Sequence, residues 1–489
     1  MSDPAELIET HISYVLLIGD RAYKLKKPIK TPFLDYSTRE ARLWACEREV
    51  ALNRRLNPDV YLGVAPVLDV SGQPCDSLVV MRRMPAERSL SALVRSGADV
   101  ADDVRRIARL VAGYHSGATR SAAISAAAGI ASVRANWEAN FVEMKDSVGP
   151  LLQSGASKRV EQLVRRYLSG RTPLFEERVE RGMACDGHGD LKADDIFCLE
   201  DGPRILDCIE FNDQFRHGDV LADVAFLAMD FERLGAPDLA HAFIRSYVEF
   251  SGESHPESLI HHYIAYRAHV RAKVACIRHH QGDRKAAAEA RRLLAICLQH
   301  LEQARVRMVL LGGLPASGKS TLAAKLSDRL GWVVLRSDEI RKDMAGLAHG
   351  ASAVAATGEG LYRPELVESA YGEMLRRARL AVERGLSVIL DATWREERTR
   401  EDARRIAEAT CADMIEMRCV APRALLRSRL TGRSLGAAMS SDATLEVLDR
   451  MEFKPWPSAT DVDTSVRLAQ SLAVALAALG HRSRSRTLS

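Results

Sequence analysis

The chain has 489 residues and a formal net charge of +4, with 47% hydrophobic and 27% charged residues. This length exceeds what one ordinary hydrophobic core accommodates, so we expect two or three domains, and the small net charge does not indicate nucleic acid as a partner. The 9 cysteines are odd in number and form no C-x-x-C pair, which argues against a disulfide framework or a zinc site.

No targeting or membrane segment is predicted. The start of the chain is acidic and lacks the apolar stretch of a signal peptide. No apolar run approaches the roughly 18 residues that a membrane-spanning helix requires. We therefore expect a cytoplasmic protein with reduced thiols.

The first part of the chain has the pattern of a small lobe rich in strands. Residues 12–18 and 21–27 predict two short strands joined by a Gly-Asp turn. Residues 37–56 have apolar positions at helical spacing among many charges. Residues 60–70 and 77–84 predict further strands, separated by a Ser-Gly-Gln-Pro turn.

The pattern then becomes mostly helical between residues 90 and 181. Two short apolar runs follow, at 195–198 and 204–211, and the Asp-Gly-Pro sequence between them is typical of a hairpin turn. Helices are predicted again over 219–305, and the last of them, from residue 283, connects to the second half of the chain.

Two aspartates flank the predicted hairpin. His188-Gly189-Asp190-Leu191 begins a loop, and Asp207 lies in the second apolar run. Because they stand on either side of one turn, Asp190 and Asp207 can face a single cleft. One can orient an acceptor hydroxyl while the other binds Mg²⁺, as phosphoryl transfer requires.

A charged pair near the start of the chain fits the same chemistry. Lys24 and Lys26 lie on one face of a predicted strand, and Glu49 lies on the helix that follows. A strand lysine that binds ATP phosphates and is held by a helix glutamate is the ion pair of kinase-type sites.

The second half opens with a complete phosphate-binding loop, GLPASGKS, which matches G-x-x-x-x-G-K-[ST]. An apolar strand precedes it and a helical pattern follows it, so backbone N–H groups and a helix N-terminus can face phosphate oxygens. In such a loop Lys319 reaches the β- and γ-phosphates and the Ser320 hydroxyl holds Mg²⁺. We expect the nucleotide to be bound by Gly313, Ser317, Gly318, Lys319, Ser320 and Thr321.

Two acidic residues follow short apolar strands in this half. Asp338 lies after the strand 333–335, where it can accept a proton from an acceptor hydroxyl while Arg341 holds an anionic acceptor group. An alternative is that Ser337 or Asp338 only caps a helix. Asp391 ends the strand 386–390, which is the position of a Walker-B aspartate that binds Mg²⁺.

Arginines cluster near a Gly/Ser-rich segment at residues 432–441. Arg427, Arg429 and Arg433 surround its start. Mobile arginines that close on the transferred phosphate are typical of the lid of small P-loop kinases, and we predict this catalytic role for Arg429 and Arg433. The alternative is a solvated helix face.

The first half resembles a known family. HGDL with Asp195 and Asp207, the start YKLKKP and the helix CEREVALNRRL resemble an aminoglycoside phosphotransferase-type kinase domain. The whole chain is similar to the branch in which this domain is fused to a C-terminal P-loop kinase, the bifunctional aminoglycoside phosphotransferase/ATP-binding proteins. The resemblance covers residues 8–280 and 306–460.

The resemblance implies roles for the residues of the first half. Asp190 is then the catalytic base or the residue that orients the acceptor, and Asp207 is a metal ligand. Lys24 is the phosphate lysine with Glu49 as its partner, and Lys26 is the alternative.

The resemblance also implies a hinge that contacts adenine, from Met81 to Met84. Asp219 and Asp223 match a further signature, which we interpret as structural support for the catalytic loop. One position departs from the family, because Asp195 stands where Asn is usual. Asp can still bind Mg²⁺ as a hard oxygen donor, but it adds negative charge beside the phosphates.

The second half is similar to AAA-type P-loop kinases of the polynucleotide kinase and zeta-toxin type. The resemblance is carried by GLPASGKST, SDEIRK, LDATW and the lid arginines. In that group the aspartate of the SD pair is the base, which agrees with the placement of Asp338. Such enzymes phosphorylate nucleic-acid ends, sugars, nucleotides or small metabolites.

The predicted fold is multidomain, of the α/β and α+β classes: a two-lobed protein-kinase-like fold followed by a P-loop NTPase with a parallel sheet. We expect a kinase-like N-lobe at 1–85 and a helical C-lobe with the catalytic loop at 86–303. A P-loop kinase domain at 304–480 and a disordered tail at 481–489 complete the division.

These patterns predict an ATP-dependent phosphotransferase with two nucleotide sites, which uses ATP and Mg²⁺ to phosphorylate a hydroxyl of a small molecule. One alternative is a single active ATPase or kinase half regulated by a pseudokinase half. Another is a nucleic-acid end kinase with the first half as a binding module, although the chain lacks a basic and aromatic stripe. The sequence does not determine the acceptors or the oligomeric state.

Overall fold

The computed structural model describes residues 5–10, 12–30, 34–348, 363–433, 445–451 and 453–480. Most of the Gly/Ser-rich segment and the predicted disordered tail lie outside the described residues. Contacts divide the chain into two compact units. Unit 1 comprises the chain up to Val164, Phe175–His255 and Leu259–Gln303; unit 2 comprises Arg165–Leu174, Pro256–Ser258 and the chain from Ala304.

Unit 1 begins with a five-stranded antiparallel sheet in the order β1-β2-β3-β5-β4. Helix α1 packs against it, and its N-terminus is capped by Thr38, whose side chain accepts a hydrogen bond from the N–H of Ala41. The elements are β1 (Glu6–Glu9), β2 (Ser13–Ile18), β3 (Arg21–Lys26), α1 (Arg39–Asn53), β4 (Tyr61–Leu68) and β5 (Pro74–Arg82).

Helices form most of the chain between residues 90 and 303, as predicted. Two short antiparallel pairs interrupt them, β6 (Ala184–Asp186) with β9 (His217–Asp219), and β7 (Ile196–Leu199) with β8 (Gly202–Ile205). The helices are α2 (Leu90–Ser96), α3 (Ala101–Gly117), α4 (Ala122–Ala128), α5 (Ile130–Met144), α6 (Ser154–Ser169), α7 (Thr172–Glu180), α8 (Val220–Arg233), α9 (Pro237–Ser251), α10 (Glu257–His280) and α11 (Ala286–Gln303).

The hairpin differs from the prediction at its second strand. β8 ends at Ile205, whereas the apolar run predicted a strand through residue 211. Asp207 prevents the strand from continuing, because the φ of Asp207 is 67°. This value lies in the left-handed region, which β-strands do not contain. The N–H of Asp207 donates to the Tyr61 hydroxyl at 3.1 Å, and the N–H of Cys208 donates to Asn53 at 2.9 Å.

Unit 2 contains a five-stranded parallel sheet in the order β11-β12-β10-β13-β14. Every residue of its central strands β10 and β12 is buried, as expected where helices cover both faces. The elements are β10 (Arg307–Gly312), α12 (Lys319–Leu330), β11 (Val333–Arg336), α13 (Ser337–Met344), α14 (Pro364–Glu383), β12 (Val388–Asp391), α15 (Glu397–Ala409), β13 (Asp413–Val420), α16 (Arg423–Arg433), α17 (Leu445–Arg450), β14 (Thr460–Asp463) and α18 (Leu468–Ala478).

The predicted fold class is confirmed: a two-part kinase-like fold precedes a parallel P-loop sheet. Within the described residues, no helix is both long enough and apolar enough to span a membrane.

Two buried histidines predict that the stability of unit 1 depends on pH. His262 accepts a hydrogen bond from the Trp137 indole at 3.2 Å, and the His269 ring packs against Trp137 and Phe141. Burial lowers the pKa of both histidines to about 3. The unfolded chain, with a histidine pKa of about 6.5, binds more protons between these values, so stability is lost as pH falls below about 6.5.

We expect each of these histidines to cost about 2 kcal/mol of unfolding free energy at pH 5 relative to pH 7.5. His269→Phe retains an aromatic ring without a titrating group, so it should remove about 2 kcal/mol of the total loss between these pH values. Denaturant unfolding of the full chain at the two pH values, followed by circular dichroism, measures the difference. His241→Gln, at an exposed position on α9, is the control, and an unchanged pH slope in His269→Phe would contradict the assignment.

Candidate active sites

The predicted ion pair of unit 1 forms together with a third residue. The Lys24 ammonium on β3 lies 2.8 Å from the Glu49 carboxylate on α1 and 2.7 Å from Asp207 after β8. Burial alone would lower the pKa of Lys24, but Asp207 and Glu49 outweigh this effect and raise that pKa well above its ordinary value. Lys24 is therefore held as a cation beside the Glu49 and Asp207 carboxylates.

Lys26, the alternative phosphate lysine, occupies a different environment. Its side chain is fully buried, 2.7 Å from Glu49 and in contact with Glu210, which also accepts a hydrogen bond from Tyr36 at 2.7 Å. Lys24, in contrast, retains 13% of its side-chain exposure. The structure thus gives Lys26 a structural role and leaves Lys24 at the cleft.

The loop that carries Asp190 is held in place by hydrogen bonds from its backbone. Asp223 accepts hydrogen bonds from the N–H groups of His188 and Gly189 at 2.6 and 2.8 Å. The His188 ring lies 3.2 Å from the carbonyl of Leu206, and its burial lowers its pKa. His188 is structural, and so is Asp223, for which the sequence predicted this role.

Asp219 is also structural. It caps α8 by accepting a hydrogen bond from Leu221 at 2.9 Å, and it binds the buried guanidinium of Arg178 through both oxygens, at 2.6 and 2.7 Å. The helix cap and the ion pair with Arg178 together engage both carboxylate oxygens of Asp219. Asp219 therefore anchors the start of the helix that carries Asp223.

Asp190, Asp195 and Asp207 come together as a candidate metal site. Their carboxylate oxygens lie within 4.8 Å of one another. Three hard oxygen donors at this separation suit Mg²⁺, which takes carboxylates together with phosphate oxygens and water. The three residues come from separate positions around the hairpin, so only its folding brings them to one point.

Lys192 is a residue of this site that the sequence did not predict. Its ammonium lies 2.8 Å from Asp190 and 2.9 Å from Asp195, and it offsets part of the extra negative charge that Asp195 introduces. Even so, burial and the neighbouring Asp207 and Asp190 carboxylates raise the pKa of Asp195 to about 6. The signal available in the sequence was a lysine two residues after the HGD motif.

The predicted hinge residues contribute to the core of the antiparallel lobe. Met81 is buried beside Tyr61 and Leu206, and Met84 packs against the same cluster. Leu206 immediately precedes Asp207, so this cluster also supports the metal site. A contact between the hinge and adenine stays a prediction.

The phosphate-binding loop of unit 2 joins β10 to α12 as predicted. Gly313 and Gly318 have φ values of 138° and 86°, and a Cβ atom at Gly313 would lie 2.5 Å from the carbonyl oxygen of Cys419. Glycine is required there because only glycine combines this conformation with so close an approach. The Lys319 ammonium donates to the carbonyl of Leu314 at 3.1 Å, within the same loop. Ser317 is buried beneath the loop, and Thr321 is exposed on the first turn of α12.

Asp391 ends β12 beside the loop. Burial raises its pKa, while the Lys319 charge and a hydrogen bond from the Ser320 hydroxyl oppose that shift. Ser320 and Asp391 are therefore adjacent, as required of two residues that share one Mg²⁺.

Asp338 lies close enough to Asp391 to contribute to raising its pKa. It is ion-paired with Arg341 on α13. The helix begins at Ser337 with Arg336 at the cap position and no capping side chain, so helix capping by Ser337 or Asp338 does not explain this sequence.

The lid arginines differ from one another. Arg429 donates to the carbonyls of Ala316 at 3.3 Å and Thr464 at 2.7 Å, so it is anchored on the phosphate-binding loop. Arg427 is paired with Asp449 near the surface. The Arg433 side chain and residues 434–441 lie outside the described residues. A closing movement of Arg429 would have to break both bonds to the backbone.

Comparison with known proteins agrees with the two-part organisation. The AAA_33 family model, described as an AAA domain, matches residues 308–454. "Uncharacterized protein Rv2004c" of Mycobacterium tuberculosis is 40% identical over 459 residues, which cover 94% of this chain and 92% of that protein.

Two solved structures match separate parts of the chain. The GDP complex of wild-type aminoglycoside 2'-phosphotransferase-IIIa is 15% identical, covers 61% of this chain and 93% of its own, and has a TM-score of 0.39. The APS kinase CysC of Mycobacterium tuberculosis, in complex with AMPPNP and APS, is 18% identical, covers 36% of this chain and 98% of its own, and has a TM-score of 0.29.

Proposed function

This chain belongs to the same family as the mycobacterial protein Rv2004c, and from the geometry of its two units we propose one function. The protein is an ATP-dependent phosphotransferase with two nucleotide sites, each of which transfers the γ-phosphate to a hydroxyl of a small molecule. The observation that carries the proposal is a lysine beside an aspartate in each unit, Lys24 with Asp207 and Lys319 with Asp391. We propose that the two halves of the chain divide between residues 303 and 304.

In unit 1, Lys24 binds the phosphates and Glu49 keeps its ammonium in place. Asp207 and Asp195 are the metal ligands. Asp190 orients the acceptor hydroxyl and accepts its proton, and Lys192 holds the Asp190 carboxylate in place. ATP and Mg²⁺, when bound, supply the phosphoryl group and neutralise the charge that develops on it.

In unit 2, the N–H groups of the loop from Gly313 to Ser320 bind phosphate oxygens, and Lys319 adds a positive charge. Ser320 and Asp391 are placed to hold the metal ion. Asp338 accepts the proton of the acceptor hydroxyl. Its ion pair with Arg341 holds its carboxylate in position on the first turn of α13.

One observation favours a second candidate, in which unit 1 binds nucleotide weakly or not at all and regulates unit 2. Asp195 stands where the family that unit 1 resembles has a neutral Asn ligand. Burial raises the pKa of Asp195 to about 6. The Asp207 and Asp190 carboxylates add to this shift, and three acidic residues at one place work against the binding of a nucleotide triphosphate there.

Nucleotide stoichiometry separates the two candidates. We expect equilibrium dialysis of the full chain with a labelled non-hydrolysable ATP analogue and Mg²⁺ to give about two nucleotides per chain. Asp207→Ala and Lys319→Ala should each remove one, while the control Lys325→Ala, on the exposed face of α12, should remove none. One nucleotide per chain, unaffected by Asp207→Ala, would show that unit 1 binds no nucleotide and would contradict the two-site proposal.

A further inference from the structure

A cavity of about 340 Å³ opens beside Asp190 in unit 1. This is near the lower end of the range for small-molecule sites, so its occupant is small. Its walls are largely apolar and aromatic, formed by α5, the start of α8, the middle of α10 and the segment after Asp207. The walls include Val133, Ile209, Phe211, Phe226 and Val274.

The carboxylates that line this cavity are already engaged. Asp223 is bonded to the loop N–H groups and Asp219 to Arg178. Glu143 is paired with Lys273 at 2.7 Å, and Asp190 with Lys192. A polycation such as an aminoglycoside needs several free carboxylates, and each acidic residue in the lining already has a cationic or N–H partner.

Most of the cations in the lining are engaged as well. Arg216 binds Asp186 at 2.8 Å, and Arg267 donates to the carbonyls of Ala222 at 2.9 Å and Gly189 at 3.3 Å. Arg278 is paired with Asp283 and Glu289. Each of these side chains therefore already has a carboxylate or carbonyl partner within the protein.

Arg271 on α10 differs from them. It lines the same cavity, and its buried Nε atom has no hydrogen-bond partner among the residues that the structure describes. Its charge acts on Lys192, so it lies near the pair that orients the acceptor. A buried guanidinium N–H without an acceptor is costly, which indicates that a ligand supplies the acceptor.

We propose that the acceptor of unit 1 is a small hydroxylated anion with an apolar body, whose carboxylate or phosphate group binds Arg271 while its hydroxyl faces Asp190. This inference rests on the proposed phosphotransferase function of unit 1 and specifies its substrate class. In the transfer, the hydroxyl oxygen bonds to the γ-phosphorus, the bond from that phosphorus to the bridging oxygen breaks, ADP leaves, and Asp190 takes the hydroxyl proton.

The test uses the full chain saturated with Mg²⁺ and ADP, and isothermal titration with four probes. Phenyllactate and 3-phenylpropane-1,2-diol share an apolar ring and a hydroxyl and differ in the carboxylate. Glycerol 3-phosphate represents a phosphate, and kanamycin a polycation. We expect at least one of the two anions to bind about tenfold or more tightly than both the diol and kanamycin, and the better anion identifies the preferred group.

Arg271→Gln should weaken binding of that anion by about ten- to a hundredfold and leave the diol unchanged, and Arg271→Lys should recover part of the loss. The matched control is Arg245→Gln, at an exposed position on α9. The proposal is overturned if neither anion binds, or if kanamycin or the diol binds as tightly as the better anion. It is also overturned if Arg271→Gln weakens the binding of ADP and not the binding of the anion. Nucleotide stoichiometry and the ATP turnover of Asp190→Asn, measured on the same preparation, report separately on the phosphotransferase function of unit 1.

Discussion

Lys319→Ala and Asp190→Asn should each abolish a different part of the ATP turnover of this protein. Removal of one preorganised cationic or hydrogen-bonding group from a phosphoryl-transfer site typically costs about a hundred- to a thousandfold in rate. Lys319 lies beside Asp391, and Asp190 lies in the carboxylate cluster of unit 1. The two losses should therefore add up to the wild-type rate, and the double variant should retain almost none of it.

The measurement is phosphate and ADP release by the full chain at saturating ATP and Mg²⁺. Lys325→Ala is the control for Lys319, because Lys325 lies on the same helix with an exposed side chain paired with Asp328. Asp201→Asn, at an exposed turn of the hairpin, is the control for Asp190. If Lys319→Ala removes all turnover and Asp190→Asn removes none, only unit 2 is an enzyme.

Glu49→Ala should destabilise unit 1 by about 3–5 kcal/mol. Glu49 is fully buried and is bonded to both Lys24 and Lys26 at 2.8 and 2.7 Å. The variant leaves the fully buried Lys26 with the Glu210 carboxylate but without Glu49. Removal of one member of a buried ion pair costs this much because the remaining charge loses part of its compensation. The measurement is denaturant unfolding of the full chain, followed by circular dichroism.

The control is Glu47→Ala, on the same helix but exposed, which should change stability by less than about 0.5 kcal/mol. Glu49→Leu combined with Lys26→Met removes a buried acid and a buried base together, so it should recover much of the loss. A loss in Glu49→Ala no larger than that of Glu47→Ala would show that the network does not stabilise the fold.

The sequence alone could predict features that depend on neighbouring residues. The phosphate-binding loop is one continuous segment, so the order strand, loop and helix identified it without any tertiary information. The Walker-B position of Asp391 followed from a buried strand ending in an acid. The ion pair of Lys24 with Glu49 required only a strand with a helix after it.

Features that depend on distant segments could not be predicted in the same way. Lys24 and Lys26 share one face of β3, because side chains two residues apart in a strand point the same way. Only Glu210 and Tyr36, brought from elsewhere in the chain, enclose Lys26 and leave Lys24 at the cleft.

The same limit applies to the other features that the structure added. The end of β8 at Ile205 depends on Tyr61 and Asn53, which bond the backbone after it. The anchoring of Arg429 depends on the carbonyl of Thr464, which follows the last strand of the parallel sheet. The sequence by itself determined the two fold types and the nucleotide-binding motifs, because they are encoded in local spacing. Only the tertiary structure decided which charged groups are enclosed and which face a cleft, because burial and charge compensation are set by residues far apart in the chain.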